Sequence, residues 1–317
     1  MEQLLSFMPL TDDERAVIAN NDTNIVLPDD ITTGRVDPAT ITMIYGWQPD
    51  LGRQVVTAAG TNLKWVQTMS AGVDYLPLTE LTKNNVAVTN ASGIHAAAIA
   101  QSILGYIFHF TRGIWTAEQR RSAHHWEQSA PDLLVADETS VLIFSTGHIA
   151  TETARLLKEM GVHVAGINHT GHPADHFDET FPITDYAAAL KTADVIVNIM
   201  PGTPETEGYF NKAFFDQLTD KLLFINVGRG SSVVNDDLIA AIDNGNVKYA
   251  ALDVVAPEPL PTTSPLWDHE RILLTPHISG VMDHLGTRLF PIFSTNLASL
   301  VADGHVSRNE VDLNAGY

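Results

Sequence analysis

Three segments near the C-terminal end of the chain carry an arginine, two carboxylates and a histidine, and apolar runs precede the arginine, the first carboxylate and the histidine. They are Asn226-Val227-Gly228-Arg229-Gly230, Ala251-Leu252-Asp253 running on to Glu258-Pro259-Leu260-Pro261, and Thr275-Pro276-His277-Ile278-Ser279-Gly280. A guanidinium grips a carboxylate or polarises a carbonyl, and a histidine paired with a carboxylate carries a proton. That inventory suits reduction of a 2-oxo acid. Taken singly, each residue has a plainer reading: arginine as a salt bridge, histidine as a structural group. Their shared position argues otherwise, because open α/β sheets bind ligands at the C-terminal ends of their strands. There, Gly228 and Gly230 are expected to let a ligand approach the backbone, and Asp253 to face the same crevice.

The elements that must position these groups are legible as an alternation. Apolar runs at 140–145, 162–167, 194–200, 222–227, 249–254 and 272–275 are separated by segments of helical character. Six strands alternating with helices predict a doubly wound parallel sheet. Upstream, runs at 24–27, 41–45, 63–67 and 86–89 read as strands of a smaller α/β unit. Between the two units lies an Ala-rich, apolar stretch from 95 to about 115, expected as a helix buried between domains or subunits. A last helix over 289–300 suggests a return to the first unit. The expected division is therefore 1–94 plus 289–317 for the smaller domain and 95–288 for the larger.

After the first strand of the larger unit comes Ser145-Thr146-Gly147-His148-Ile149-Ala150, at the place of a dinucleotide-binding turn. That turn uses glycines for a tight bend, for approach to pyrophosphate and for helix–strand packing. Only the middle one is present, Gly147, whose missing Cβ lets phosphate approach a helix N-terminus. The next strand ends at Asn168, where Asp or Glu would bond the ribose hydroxyls of NAD and repel a 2′-phosphate. Asn168 removes that repulsion, and His169, Thr170 and His172 lie close enough in sequence to contact a phosphate. The same histidines, with Asp175 and His176, have metal-like spacing, but Gly171 and Pro173 interrupt any helix that would align them. No metal site is expected.

Composition narrows the classes. With 38 acidic and 18 basic residues the formal charge is −20, a poor match for nucleic acid or an anionic membrane surface. The absence of cysteine excludes disulfides and thiolate chemistry. No apolar stretch reaches the length of a membrane span, and the start lacks the basic region and apolar core of a secretory signal. A cytoplasmic protein is expected.

Over nearly its full length the chain resembles the D-isomer-specific 2-hydroxyacid dehydrogenases, which include phosphoglycerate dehydrogenase-like and glyoxylate/hydroxypyruvate reductase-like members. The matching stretches are Leu63-Lys64-Trp65-Val66-Gln67, Ser70-Ala71-Gly72-Val73-Asp74, Asn90-Ala91-Ser92-Gly93-Ile94-His95, Pro201 with Thr203-Pro204-Glu205-Thr206, and the three segments above. The resemblance implies two Rossmann-like domains, the smaller flavodoxin-like, with NAD or NADP as cofactor. It assigns the substrate carboxylate to the amides of Ala71, Gly72 and Val73, polarisation of the substrate to Arg229, proton transfer to His277, and orientation of His277 to Glu258. Ser145, Thr146, Gly147, His148, Ile149, Asn168, Pro201, Val227, Gly228, Asp253 and Gly280 would line the cofactor, with Asp253 on the nicotinamide carboxamide. It further implies a 2-oxo or 2-hydroxy acid substrate and a homodimer in which Trp126 reaches the neighbouring cleft. Tyr45-Gly46-Trp47 would lie near the substrate side chain. Departures are Ser145, Ala150 and Gln101, the last where a glutamate is expected, and no regulatory extension is expected beyond Tyr317. Within the same family, dinucleotide-sensing corepressors keep the fold as a scaffold, which is the competing reading.

Overall fold

The computed structural model describes residues 1–313; the rest of the tail, through Tyr317, lies outside the described residues. The chain forms two compact units, Met1–Ile94 with Met282–Tyr317, and His95–Val281.

The first unit is built on β1 (Glu2–Ser6), β2 (Thr23–Val26), β3 (Met43–Tyr45), β4 (Trp65–Gln67) and β5 (Ala87–Thr89). They pair in parallel in the order β2-β1-β3-β4-β5, a flavodoxin-like winding. β1 is the strand that sequence reading missed, although both β2 and β3 pair with it. Its apolar content is only Leu4 and Leu5 beside polar neighbours, too short a run to show a period. The C-terminal helix Leu285–Asp303 returns to this unit and starts four residues before the expected position 289. It runs through Pro291 near its start, where the missing N–H removes one bond of the helical ladder. Its apolar face, Leu289, Phe293 and Leu297, packs on Met43, Tyr45 and Trp65. The Phe293 ring stacks on both Tyr45 and Trp65, with centroids 4.2 Å and 5.2 Å away. Tyr45 and Trp47 are both buried in this unit, so they serve as packed aromatics.

The second unit holds β6 (Ser140–Phe144), β7 (His163–Asn168), β8 (Glu179–Pro182), β9 (Val195–Asn198), β10 (Lys221–Asn226), β11 (Val247–Leu252) and β12 (Ile272–Leu274). Their order is β12-β11-β10-β9-β6-β7-β8, with every pair parallel. The winding reverses between β6 and β9, the switch point at which such sheets open a ligand crevice. The sheet has one strand more than expected. β8 lies at the edge, half-exposed and ending in Pro182, so no apolar run marks it. The apolar stretch from 95 to 115 is two helices, Ala96–Thr111 and Ile114–Arg121, broken at Gly113 with φ +68°. The first packs inside its own unit: Ile103, Ile107 and Phe110 share a core with Ala150, Ala154 and Leu157 of the helix His148–Glu159. Among the described residues, no helix is long and apolar enough to cross a membrane.

If the C-terminal helix is held mainly by its aromatic stack, Phe293→Ala should cost about 3–5 kcal/mol of stability. Urea unfolding would measure it. A loss below about 1 kcal/mol would show that the helix is fastened elsewhere.

Candidate active site

Strands β9, β10 and β11 end together, and two of them close with asparagines instead of apolar residues. Asn198 and Asn226 are fully buried. Asn198 Nδ2 donates to Asn226 Oδ1 at 2.9 Å and to Ser232 Oγ at 2.8 Å. Asn226 Nδ2 and Ser232 Oγ both donate to the carbonyl of Arg229, at 3.1 Å and 2.6 Å. Every member of this interior network is partnered, which is the condition for tolerating it. Its product is a fixed backbone at Arg229, whose Nη1 donates to the Gly228 carbonyl at 2.9 Å. The flanking glycines meet a requirement beyond the expected one. A Cβ on Gly230 would stand 2.0 Å from the Val255 carbonyl, and one on Gly228 2.7 Å from the Met200 oxygen. They make room for the chain's own backbone. Val227, just before them, is buried.

Asp253, one residue past β11, corrects an expectation. Its carboxylate is only 2% exposed and is turned into the protein. Oδ1 accepts from Thr275 Oγ1 at 2.6 Å and from the Ile278 amide at 2.9 Å; Oδ2 accepts from Ser279 Oγ at 2.5 Å and from the Ser279 amide at 3.1 Å. A buried carboxylate needs such donors when no cation pairs with it. Its oxygens are engaged by the loop after β12. That loop carries His277 in the left-handed region, φ +54°, a conformation that strains a residue with a Cβ. The His277 amide donates to the carbonyls of Asp253, at 2.8 Å, and Thr275, at 3.0 Å.

The ring of His277 meets Glu258: Nδ1 to Oε2 is 2.8 Å, while Glu258 Oε1 accepts from the Val255 amide at 3.1 Å. Since a carboxylate only accepts, Nδ1 bears the proton in this pair and Nε2 is the atom left to work. The His277 side chain is 54% exposed, so the pair is open to solvent and to substrate. Thr275 and Ser279, two residues to either side of His277, are the residues that sequence reading passed over. Their hydroxyls flanking a histidine at a strand end were the available signal, as were the asparagines closing two apolar runs.

The turn after β6 lies at the switch point. Ser145 adopts φ +145°, glycine territory, and its Oγ accepts the Gly147 amide at 3.1 Å. The serine thus occupies a donor that a phosphate would use. Gly147 caps the helix His148–Glu159 with no side chain over the helix N-terminus, and Ala150 is fully buried, giving close helix–sheet packing. Ile149 packs against the same core, and Thr146 Oγ1 accepts from Asn168 at 3.4 Å. Asn168 spends the rest of its amide inside its own turn, donating to the His172 carbonyl and accepting from the Thr170 and Gly171 amides. It shapes the loop and puts no charge at the end of β7. Pro201 is exposed after β9, with its carbonyl held by Thr206 at 2.7 Å. Gly280 is held by His95, whose Nδ1 is 2.9 Å from its carbonyl. Bare helix N-terminus, buried alanine and uncharged strand end together fit a dinucleotide.

In the first unit, the loop after β4 carries Ala71, Gly72 and Val73. Asn90 Nδ2 donates to the Ala71 carbonyl and Ser70 Oγ to the Gly72 carbonyl, both at 2.9 Å. Fixing these carbonyls fixes the peptide planes, and among the described residues no acceptor takes up the three amides. Gln101 is exposed on its helix and Trp126 is 94% exposed. Among the described residues no group of three or more His, Asp or Glu side chains is arranged to hold a metal.

Comparison with known proteins agrees with this architecture. Residues 104–279, more than half the chain, match the family described as D-isomer specific 2-hydroxyacid dehydrogenase, NAD binding domain. The chain belongs to that family. It is 32% identical over 251 residues to the human glyoxylate reductase/hydroxypyruvate reductase, covering 77% of this chain and 76% of that protein. An NADPH-dependent glyoxylate/hydroxypyruvate reductase from Sinorhizobium meliloti, solved with NADP and sulfate, superposes with a TM-score of 0.82 at 26% identity, over all of both chains. A D-isomer specific 2-hydroxyacid dehydrogenase from Xanthobacter autotrophicus, solved with NADPH and MES, also gives 0.82, at 27% identity over 100% of this chain and 99% of that one. The protein is thus an NAD(P)-dependent oxidoreductase of the 2-hydroxyacid/2-oxoacid type.

The strain and the self-made bond at Ser145 make Ser145→Gly informative. Relief of about 1–3 kcal/mol of backbone strain should outweigh the roughly 0.5–1 kcal/mol that glycine loses through its freer unfolded chain. Thermal unfolding should show an unchanged or higher midpoint, and NADPH should bind several-fold more tightly by fluorescence titration. Weaker binding would mean that the serine hydroxyl itself serves the phosphate.

Proposed function

We propose that the protein reduces a 2-oxo acid to the D-2-hydroxy acid, and reverses the reaction, with His277 as acid/base. The observation that carries this reading is the His277–Glu258 pair, 2.8 Å apart at the C-terminal edge of the sheet. With Nδ1 engaged by the carboxylate, Nε2 is aimed outward as the proton donor in reduction and acceptor in oxidation. Glu258 fixes tautomer and ring orientation. Arg229, on a backbone clamped by Asn226 and Ser232, grips the carboxylate or carbonyl oxygen of the acid and draws electron density from the carbonyl carbon. The amides of Ala71, Gly72 and Val73 hold the carboxylate. The bound nicotinamide supplies hydride; the protein's share is placement and charge.

The uncharged end of β7 supports use of NADPH. The side chain that ends the strand, Asn168, carries no charge to repel a 2′-phosphate, and His169, Thr170 and His172 stand on the turn that it shapes. The scaffold reading has no observation in its favour, since arginine, glutamate and histidine are all present. The apolar side chains exposed at Ile114, Trp126, Leu133 and Val135 support a homodimer as the working assembly. Sedimentation velocity returning a monomer mass at micromolar concentration would overturn that assignment.

The reaction is tested by following cofactor oxidation with a panel of 2-oxo acids, including glyoxylate and hydroxypyruvate, and either NADH or NADPH. Turnover with at least one acid is expected, with NADPH accepted. His277→Ala and Arg229→Ala should each lower kcat/KM by about 10²–10⁴-fold. An active His277→Ala enzyme would sink the proton-transfer role, and cofactor binding with no turnover on any acid would sink the reaction.

A further inference from the structure

The loop that carries His277 is fastened to the helix Ala96–Thr111 at three points. At the helix N-cap, His95 Nδ1 is 2.9 Å from the Gly280 carbonyl; two turns on, Ser102 Oγ donates to the Ser279 carbonyl at 3.3 Å; further along, the Tyr106 hydroxyl is 2.7 Å from Thr275 Oγ1. Positions 95, 102 and 106, with Ile99 against Gly280, fall on one helix face by their spacing of four, three and four. The innermost contact has a direction. Thr275 has one hydroxyl proton, and it goes to Asp253 Oδ1 at 2.6 Å. Tyr106 therefore donates to Thr275, and the chain of donors runs from phenol to threonine to the buried carboxylate. Burial pushes the Tyr106 phenol up to about 12, so it keeps its proton at neutral pH.

We propose that Tyr106 is a positioning residue for His277, acting through Thr275 and Asp253. Asp253 holds the Ile278 and Ser279 amides that follow the strained histidine, and its own carbonyl accepts the His277 amide. Polarising Thr275 strengthens its bond to that carboxylate, because hydrogen bonds in a chain reinforce one another. Tyr106 is 7% exposed, and its hydroxyl also lies 3.5 Å from Asp253 Oδ1, at the limit of a hydrogen bond, so the 2.7 Å contact with Thr275 is its main link to the loop. The role rests on the reading of His277 given above.

The test removes hydroxyls without removing volume. In Tyr106→Phe, kcat should fall about tenfold with KM for cofactor and acid within about twofold, since only the geometry at the acid/base is altered. Thr275→Val should lose more, about a hundredfold, and Thr275→Ser should recover most of it. Because the two hydroxyls act in series, Tyr106→Phe/Thr275→Val should be no worse than Thr275→Val alone. Hydrogen exchange over residues 275–280 should quicken in Tyr106→Phe. Wild-type kcat in Tyr106→Phe, losses that multiply in the double variant, or an equal loss in cofactor affinity would each overturn the proposal. Exchange separates it from the reaction itself. A wild-type enzyme inert towards every acid, with exchange still faster in Tyr106→Phe, would refute the chemistry and leave the fastening intact.

Discussion

A carboxylate buried without a cation must be met by donors from every side, and at Asp253 that requirement shapes the chain. Two hydroxyls and two amides from residues 275–279 converge on it, with the Tyr106 hydroxyl more distant at 3.5 Å. The loop can satisfy them only by folding tightly over the end of β11, and this fold puts His277 into a left-handed backbone. Charge-assisted bonds of this kind contribute about 1.5–3 kcal/mol each, against roughly 1–3 kcal/mol for the strained residue. The bonds win. The proposed acid/base is held by electrostatics behind it, and its exposed ring needs only Glu258 for direction.

The neighbouring loop reaches the same end with neutral groups. Asn198, Asn226 and Ser232 bind one another and the Arg229 carbonyl, so the arginine's backbone is fixed. Gly230 lets this loop lie on Val255, the residue whose amide bonds Glu258. Arginine and histidine therefore share a support: movement at Val255 would disturb both. Polar interiors of this sort are costly when one member is lost, and they fix one geometry when complete.

Much of this was legible in the sequence, and the failures are specific. Strands buried on both faces declare themselves as apolar runs, so β7, β9, β10 and β11 were plain. β1 and β8 were missed because one shows only two apolar residues and the other is a half-exposed edge. Types and spacing named Arg229, Glu258 and His277, but not which way a side chain turns. Asp253 was expected to face the crevice and is buried; that Gly228 and Gly230 also make room for the chain's own backbone was not legible. Tyr106 was invisible, because in an apolar helix a tyrosine counts as hydrophobic until its hydroxyl has a partner.

Two backbone outliers without glycine stand at the places proposed for chemistry, Ser145 in the turn after β6 and His277 of the pair with Glu258. Strain persists only where the surroundings over-determine it. At His277 the surroundings do so, through Asp253 and two carbonyl contacts. At Ser145 the fixing is weaker: its side chain accepts the Gly147 amide, and the strands on either side of β6 hold the turn's base. The two sites therefore differ in kind. Replacing His277 would remove the proposed proton carrier, whereas the serine fills a position where glycine would fit with less strain. Local preference is violated in both, but only at His277 does a dense network compensate. That asymmetry explains why the segments bearing Arg229, Glu258 and His277 identify the fold's chemistry more firmly than its degraded glycine turn does.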